Sequence, residues 1–284
     1  MRADLETLVD VLAGRGAVVL SGAGLSTESG IPDYRGPSGQ ARRAQPMTYQ
    51  AFTGSQAARQ RYWARSHLGW RHIAGAAPNA GQQAVAELER LGLIRGIITQ
   101  NVDGLHQAAG ATLVTELHGS LHRVVCLGCW RRTSRAELDE RLRTTNPDWA
   151  PRGPMLPPGQ EDGPDTPPVN PDGDVALEDT AEFTVVGCLA CGGVLKPDVV
   201  FFGENVPRPR VEYCYSLVSK ASSLVVLGSS LTVMSGLRYA RHAAKLGIPV
   251  VIVNQGPTRG DELAVAKLEA PLGETLTAAL AALS

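Results

Sequence analysis

The 284-residue chain lacks several features that would each mark a broad class of proteins. It has no basic surplus, since 27 Lys and Arg residues stand against 28 Asp and Glu residues, which disfavours nucleic acid as a partner. No run approaches the ~18 consecutive apolar residues of a membrane-spanning helix. The opening residues, MRADLETLVDVLAGRG, lack the long apolar core of a secretory signal. We therefore expect a cytoplasmic protein that binds neither nucleic acid nor membranes.

Cysteine is scarce, with five residues, and an odd number cannot all form disulfides within one chain. Four of them form two Cys-x-x-Cys pairs, Cys126 with Cys129 and Cys188 with Cys191. Without a signal peptide, such pairs are more typical of metal ligands than of disulfides. Four thiolates fill a tetrahedral site and leave no open position, so we predict one structural Zn²⁺ ion. A chance pairing and a redox pair are the alternatives.

Short apolar segments alternate with amphipathic ones along most of the chain. Strands are predicted at residues 17–20, 94–99, 113–117, 199–202, 224–227 and 249–253. Helices are predicted at residues 4–13, 80–91, 237–246 and 274–283. This alternation is typical of a parallel sheet with helices on both faces, so we predict a Rossmann-like α/β fold.

A glycine turn, Gly22-Ala23-Gly24, follows the first predicted strand, as in a dinucleotide-binding fingerprint. The fingerprint is incomplete, because Thr27 stands at the third glycine and no acidic residue lies about 20 residues further on to bind a ribose. A hydride-transferring dehydrogenase is therefore disfavoured, and a plain strand–helix connection is the alternative. Ser26 and Thr27 can hold phosphate or cap a helix that faces it. The stiff loop that follows carries Asp33, Tyr34 and Arg35.

Three further strand ends carry polar residues, where open α/β sheets bind ligands. The first is the run TQNVDGLH at 99–106, for which a turn that caps the next helix is the alternative. The others are GSSL at 228–231 and VNQG at 253–256. His118, in ELHGS, is the candidate general base because imidazole titrates near neutral pH, with a structural histidine as the alternative.

These motifs occur together and in order, and the chain resembles the sirtuins, the NAD-dependent protein-lysine deacylases. The resemblance extends through GIPDYR at 30–35 and FGE at 202–204. Two segments, RYWARSHLGWR at 61–71 and NQGPTRGDELA at 254–264, look most like the class II, lipoamidase-type branch. Tyr34 departs from the family, which usually has Phe there, so the nicotinamide pocket could differ slightly.

The resemblance implies a set of NAD contacts and a second substrate, an acylated lysine in a protein or peptide. The implied NAD contacts are Gly22, Ala23, Gly24, Ser26, Asp33, Tyr34, Arg35, Gln100, Asn101, Asp103, Gly228, Ser229, Ser230, Asn254, Gln255, Gly256 and Leu272. The peptide would enter as an added strand between two segments, Val200-Phe201-Phe202-Gly203-Glu204 and 230–233. A monomer is expected.

The implied reaction consumes NAD. The acyl oxygen attacks the nicotinamide ribose, nicotinamide leaves, and His118 then acts as general base for a ribose hydroxyl. Asn101 and Asp103 would share the catalytic site with His118. The products would be free lysine, nicotinamide and 2′-O-acyl-ADP-ribose. Mono-ADP-ribosyl transfer and a non-catalytic NAD sensor are the alternatives.

Two segments interrupt the α/β rhythm and divide the chain. Residues 37–75 would form a helical insertion of a small domain, and residues 122–195 a zinc-binding module. Within that module, a loop at about 146–174 is too rich in Pro, Gly and Asp to bury a core, so we expect it to be mobile. The remaining ranges, 1–36, 76–121 and 196–284, would form the Rossmann-like NAD-binding domain.

Tyr62 and Arg65 are three residues apart in the predicted insertion and would share one helix face. A phenol and a guanidinium can together bind a carboxylate. In sirtuins a Tyr-x-x-Arg pair in this segment marks enzymes that remove succinyl or malonyl groups. We therefore predict that the pair binds an acidic acyl group, with a surface helix and Arg65 paired elsewhere as the alternative.

Overall fold

A computed structural model describes residues 2–34, 46–149, 175, 177 and 179–283 of the chain. Its main element is a parallel sheet of six strands in the order β3-β2-β1-β7-β8-β9. The strands are β1 (Ala17–Ser21), β2 (Ile94–Thr99), β3 (Val114–Glu116), β7 (Leu224–Leu227), β8 (Val250–Val253) and β9 (Ala266–Leu268). The predicted Rossmann-like fold is thereby confirmed.

Helices pack on both faces of this sheet, which is why its central strands, β1 and β7, are buried at every position. In β1, Val19 faces a cluster that contains Leu8 of the first helix, whereas Leu20 faces the opposite cluster with Leu237. The helices are α1 (Arg2–Ala13), α2 (Tyr49–Gly54), α3 (Gln56–Gly75), α4 (Ala80–Arg90), α5 (Leu105–Ala108), α6 (Arg135–Thr145), α7 (Arg208–Ser219), α8 (Met234–Lys245) and α9 (Leu272–Leu283). No helix among the described residues is long and apolar enough to cross a membrane.

A second, antiparallel sheet of three strands has the order β5-β4-β6. It is formed by β4 (Gly119–Cys126), β5 (Arg132–Ser134) and β6 (Leu195–Val199). The strand predicted at 199–202 is therefore wrong, since only Val199 belongs to a strand and that strand pairs with β4. Beyond it, Lys196 holds the backbone in a loop by donating to the carbonyl oxygens of Pro197 and Val199.

Helices α2 and α3 occupy the described part of the predicted insertion, and α3 is tied to α6 by a buried charge. Arg135, 1% exposed, lies between Trp63 and Trp70 of α3, with its guanidinium carbon 5.5 and 5.0 Å from the two ring centroids. Asp139 pairs with it at 3.3 Å. A buried charge is tolerated only with such partners, so this contact fixes how the two helices pack.

A mobile loop was predicted at about 146–174, and this prediction is wrong for its first residues, 146–149. Asn146 is buried, and its side chain exchanges hydrogen bonds of 3.0 and 2.6 Å with the backbone of Thr184. Trp149 packs edge-on against Phe183 at 5.3 Å. These contacts fix the segment as far as Trp149, and residues 150–174 of the prediction lie outside the described residues.

The junction between the two sheets depends on Gly119, the first residue of β4. Its φ is +84°, and a Cβ there would overlap the carbonyl oxygen of Asp198. His118 lies between the end of β3 and Gly119. The close approach at Gly119 therefore also fixes the position of His118.

We expect Gly119→Ala to destabilise the protein by roughly 3 kcal/mol or more, since it adds a backbone overlap to the left-handed strain of about 1–2 kcal/mol. Gly110→Ala is the matched control, because its φ is +98° and a Cβ there meets nothing within 4 Å. Chemical denaturation of both variants measures the difference. Equal losses would mean that the overlap at Gly119 is relieved without cost.

Candidate active site

A cavity of about 1020 Å³ opens at the carboxyl ends of the parallel strands. Gly22, Gln100, Gly228 and Asn254 directly follow β1, β2, β7 and β8, and all four line it. The predicted site residues that line the cavity are Gly22, Ala23, Gly24, Ser26, Asp33, Tyr34, Gln100, Asn101, Asp103, His118, Val200, Phe201, Phe202, Gly203, Glu204, Gly228, Ser229, Ser230, Asn254, Gln255 and Gly256. Motifs far apart in sequence thus meet in one site.

The floor of the cavity is made by two glycine turns in close contact. The N–H of Gly24 donates to the carbonyl oxygen of Gly228 at 2.8 Å. A Cβ on Gly22 would lie 2.7 Å from Cβ of Ser229, and one on Gly24 would lie 2.9 Å from the Gly228 oxygen. Only glycine at these two positions allows the turns to approach this closely at the edge where the strands end.

The helix that was expected to face the phosphate is not formed. Residues Ala23–Leu25 and Thr27–Ser29 make two short 3₁₀ turns, and the second ends at Gly30 with φ of +80°. The Thr27 hydroxyl donates to the carbonyl oxygen of Gly24 within the turn. The prediction that Thr27 caps a helix or holds phosphate is therefore wrong, because its hydroxyl is used locally.

Ser26, Asn101 and Asp103 form one buried polar network beside the glycine turn. The Ser26 hydroxyl donates to Asp103 Oδ2 at 2.7 Å, and Asn101 Nδ2 donates to Ser26 Oγ at 3.0 Å. Asp103 Oδ1 also accepts from the N–H of Leu105, so the residue caps α5 as well as lining the cavity. Burial raises the pKa of Asp103, and the hydrogen bonds from Leu105 and Ser26 oppose that rise.

His118 lies in the wall of the cavity with both ring nitrogens in contact. Nδ1 is 3.0 Å from the carbonyl oxygen of Gln100, which can only accept, so Nδ1 carries the proton. Nε2 is therefore the basic nitrogen, and it lies 2.9 Å from the hydroxyl of Ser235. Burial lowers the pKa of His118 to about 4, so the imidazole is neutral at pH 7 and able to accept a proton.

The two segments predicted to bind a peptide face the same cavity. The first, 200–204, is fixed from behind, since the carboxylate of Glu204 accepts from the N–H of Phe201 and pairs with the buried Lys196 at 2.9 Å. Glu204 thus holds the backbone of this segment both directly, at Phe201, and through its ion pair with Lys196. Burial lowers the pKa of Lys196 and the Glu204 partner raises it.

Tyr62 and Arg65 do not line the cavity, so the predicted acyl-binding pair is wrong. Tyr62 is 1% exposed and packs edge-on against Phe201 at 5.3 Å, behind the cavity wall. The Arg65 guanidinium donates to the carbonyl oxygen of Leu177 at 2.6 and 3.0 Å. The two residues share a face of α3, as predicted. This face is turned toward the core, where the aromatic ring of Tyr62 is buried.

Other predicted contacts differ in their placement. Leu272 belongs to the core and packs against Gly228 from below, so it is not among the cavity-lining residues. Tyr34 is 39% exposed and its ring lies 6.1 Å from that of Phe202. Arg35 lies outside the described residues.

Several lining residues were missed from sequence, and two of them contact predicted site residues. Glu269 accepts from the N–H of Gly256 at 2.9 Å, but it follows β9, a three-residue strand with too little pattern to be recognised. Ser235 was missed because it lies inside an amphipathic helix, where a serine carries no signal of its own.

The four paired cysteines form a compact cluster beside the antiparallel sheet. Their sulfur atoms all lie within 4.8 Å of one another, with 3.5 Å between Cys126 and Cys191 and 3.8 Å between Cys129 and Cys188. A tetrahedral zinc site with Zn–S bonds of about 2.3 Å places sulfurs about 3.8 Å apart, so the cluster fits one zinc ion.

Backbone groups support this donor set. The N–H of Gly128 donates to Cys126 Sγ at 3.3 Å, and the N–H of Ala190 donates to Cys188 Sγ at 3.4 Å. Hydrogen bonds from the backbone of Cys129 and Gly128 lower the pKa of Cys126 to about 6. A Cβ on Gly193 would lie 3.0 Å from Cys126 Sγ, so glycine keeps the second knuckle close to the first.

Together, the doubly covered parallel sheet, the dinucleotide-sized cavity at its carboxyl edge and the cysteine cluster define a nucleotide-binding α/β protein with a metal-binding module. Residues 22–235 match the model of the Sir2 family. The chain is 58% identical over 276 residues to NAD-dependent protein deacetylase 1 of Streptomyces coelicolor A3(2), covering 96% of this chain and 88% of the relative. The chain belongs to the Sir2 family.

Other comparisons agree. NAD-dependent protein deacetylase 1 of Mycobacterium avium is 51% identical, with 97% of this chain and 94% of the relative covered. A solved structure of Sir2 with a p53 peptide and NAD⁺ has a TM-score of 0.76 at 29% identity, covering 98% of each chain. Another, of Sir2 bound to an acetylated peptide, has a TM-score of 0.74 at 27% identity and covers 99% of each chain.

We expect Cys126→Ser to lose bound zinc and thermal stability together, because one ligand of four is removed and metal binding is coupled to folding. Metal content and thermal unfolding of the purified variant measure both effects. Cys214→Ala is the matched control, since this cysteine is buried far from the cluster in the core beside α8 and should leave the metal content unchanged. A Cys126→Ser protein that keeps one equivalent of zinc would contradict the assignment.

Stability should fall as the pH falls from 7 to 5, owing to two buried histidines. Burial lowers the pKa of His118 and of His106 to about 4. The unfolded chain takes up these protons near pH 6.5, so protonation favours unfolding, and each residue contributes a loss of about 2 kcal/mol by pH 5. Denaturant unfolding at pH 7 and pH 5 measures the loss, which should be smaller in His106→Gln. Identical losses in the two proteins would refute this origin.

Proposed function

We propose that the chain is an NAD-dependent protein-lysine deacylase that transfers the acyl group of a modified lysine to ADP-ribose. The observation that carries this proposal is the position of His118, whose basic Nε2 faces the same cavity as the glycine turns and both predicted peptide segments. The 58% identity to a protein named as an NAD-dependent protein deacetylase supports the same reaction.

The polar lining fits NAD in segments. Gly22, Ala23 and Gly24 would contact the pyrophosphate. The adenosine would be held by the residues that follow β8, Asn254, Gln255 and Gly256. It would also contact the residues that follow β7, Gly228, Ser229 and Ser230. The proposed nicotinamide and ribose contacts are Ser26, Asp33, Tyr34, Arg35, Gln100, Asn101 and Asp103. The size and the mixed polar and apolar wall of the cavity are those of a site for a large, elongated ligand.

When bound, NAD supplies an electrophilic ribose carbon from which nicotinamide can depart. Asn101 and Asp103 are held by Ser26 in fixed positions, so they can orient the ribose without rearrangement. His118 then accepts a proton at Nε2 from a ribose hydroxyl. Its neutral state at pH 7 and its fixed tautomer suit this role.

The acylated lysine would enter with its peptide laid between 200–204 and 230–233, which mainly recognise backbone. Apolar residues on this side of the cavity, Ile31, Met47, Val102, Leu121 and Phe201, would surround the acyl chain. Because Tyr62 and Arg65 do not line the wall, an uncharged acyl group fits the described lining best.

We also propose the finer assignments that the sequence suggested. The chain would belong to the class II, lipoamidase-type branch, act as a monomer in the cytoplasm and bind no nucleic acid. Its zinc ion would be structural. Residues 37–75 and 122–195 would form the small domain and its zinc module on the NAD-binding domain.

Nicotinamide release from NAD, with and without acetyl-, succinyl-, lipoyl- and long-chain acyl-lysine peptides, tests the proposal. We expect release to depend on peptide and the uncharged acyl groups to exceed succinyl. His118→Ala should lower the rate by roughly 10²–10⁴, the usual contribution of a general base. His242→Gln, on the far end of α8, is the control and should retain activity.

Two results would contradict deacylation. Release that is independent of peptide would indicate ADP-ribosyl transfer to protein or NAD hydrolysis, and incorporation of labelled ADP-ribose would distinguish these. Bound NAD without any release would indicate a sensor. If the lipoyl peptide gives no faster release than the acetyl peptide, the lipoamidase-type assignment is contradicted and the deacylase assignment is unaffected.

A further inference from the structure

The contact between Ser235 and His118 has no place in the reaction described above. Ser235 lies in the first turn of α8, and its hydroxyl is 2.9 Å from His118 Nε2, the nitrogen expected to receive the proton. Nδ1 is protonated and donates a hydrogen bond to the Gln100 carbonyl oxygen. Nε2 of the neutral ring can therefore only accept, so the Ser235 hydroxyl is the donor in this contact.

The same turn of α8 also fixes the other partner of the imidazole. A Cβ on Gly236 would lie 2.6 Å from Oε1 of Gln100, so the helix start packs directly on the Gln100 side chain. The Gln100 amide is held in turn by Ser229 at 2.7 Å. Ser235 therefore contacts the His118 ring directly, and Gly236 contacts the side chain of Gln100, whose backbone carbonyl accepts from Nδ1.

We propose that Ser235 is a positioning residue for His118, which orients the imidazole and releases Nε2 to the ribose hydroxyl when NAD binds. In the neutral ring the Ser235 hydroxyl donates to Nε2 and holds the imidazole in the observed orientation. The amino-terminal end of α8 carries partial positive charge, which favours the neutral ring. This inference rests on the proposed role of His118 as the base.

The charges around His118 agree with a base that is kept neutral. Arg210 of α7 donates to the carbonyl oxygen of Leu117 at 3.1 Å, and its positive charge lowers the pKa of His118 in addition to the larger effect of burial. The hydrogen bond to the Gln100 carbonyl raises the pKa of His118, and the Ser235 hydroxyl at Nε2 is uncharged. Of these neighbours, Ser235 is the one whose hydrogen bond can be removed by a single small substitution.

The test is nitrogen NMR of labelled histidine in the NAD-free protein, for wild type, Ser235→Ala and Ser235→Thr. In Ser235→Ala the pKa of His118 should change by about half to one unit, the effect expected for the loss of one neutral hydrogen bond. Ser235→Thr keeps the hydroxyl and should restore the wild-type value. Ser219→Ala is the matched control, because Ser219 Oγ makes a similar 2.8 Å contact with His242 Nε2 on α8 and should leave His118 unchanged.

Kinetics give a second, independent readout. The acidic limb of the kcat/KM profile for NAD should follow the change in the His118 pKa in Ser235→Ala, and kcat should fall several-fold with little change in KM. An unchanged His118 pKa in Ser235→Ala, or a Ser235→Thr variant that behaves like Ser235→Ala in both measurements, would overturn the proposal. Because the NMR titration needs no turnover, a shifted pKa in a protein without deacylase activity would refute the proposed function and retain the contact.

Discussion

The active-site cleft depends on the close approach of two backbone turns, at Gly22-Ala23-Gly24 and Gly228. They follow adjacent strands, β1 and β7, whose parallel register carries both chain segments to the same edge. The hydrogen bond from Gly24 to the Gly228 carbonyl joins them, and no Cβ fits between them. Side chains at Gly22 or Gly24 would force the two turns apart and change the shape of this floor. The polar residues that follow β2 and β8 line the same cavity.

Burial in the cleft has electrostatic consequences that suit the chemistry. The carboxyl of Asp103 and the imidazole of His118 are both removed from water. Burial raises the pKa of Asp103 and lowers the pKa of His118, so it favours the neutral form of each group. Hydrogen bonds from Ser26 and to Gln100 fix their orientation. Groups that are desolvated and already oriented need little reorganisation during the reaction. Burial of His118 opposes folding at acidic pH, whereas burial of Asp103 opposes folding at the higher pH where an unfolded carboxyl is ionised, so the site trades stability for function.

Much of the main sheet could be predicted, because strands such as β7 and β8 are short, apolar and followed by small polar residues. The antiparallel sheet could not. Strand β4 is interrupted by His122 and Arg123, and β6 contains Lys196 and Pro197, so neither has the pattern of a buried strand. Lys196 is buried there because Glu204 and two carbonyl oxygens partner it, and partners of that kind appear only after folding.

The sequence by itself determined the type of sheet, the cysteine donor set and the motifs that meet at the cavity, since each depends on residues close together in the chain. Tertiary structure decided which way a side chain faces. Tyr62 is turned into the core beside Phe201, away from the acyl group that its spacing with Arg65 had suggested. Ser235 is brought to His118 across 117 positions of sequence. Local pattern specifies an element and its apolar face, whereas the partner of a polar group depends on packing between elements.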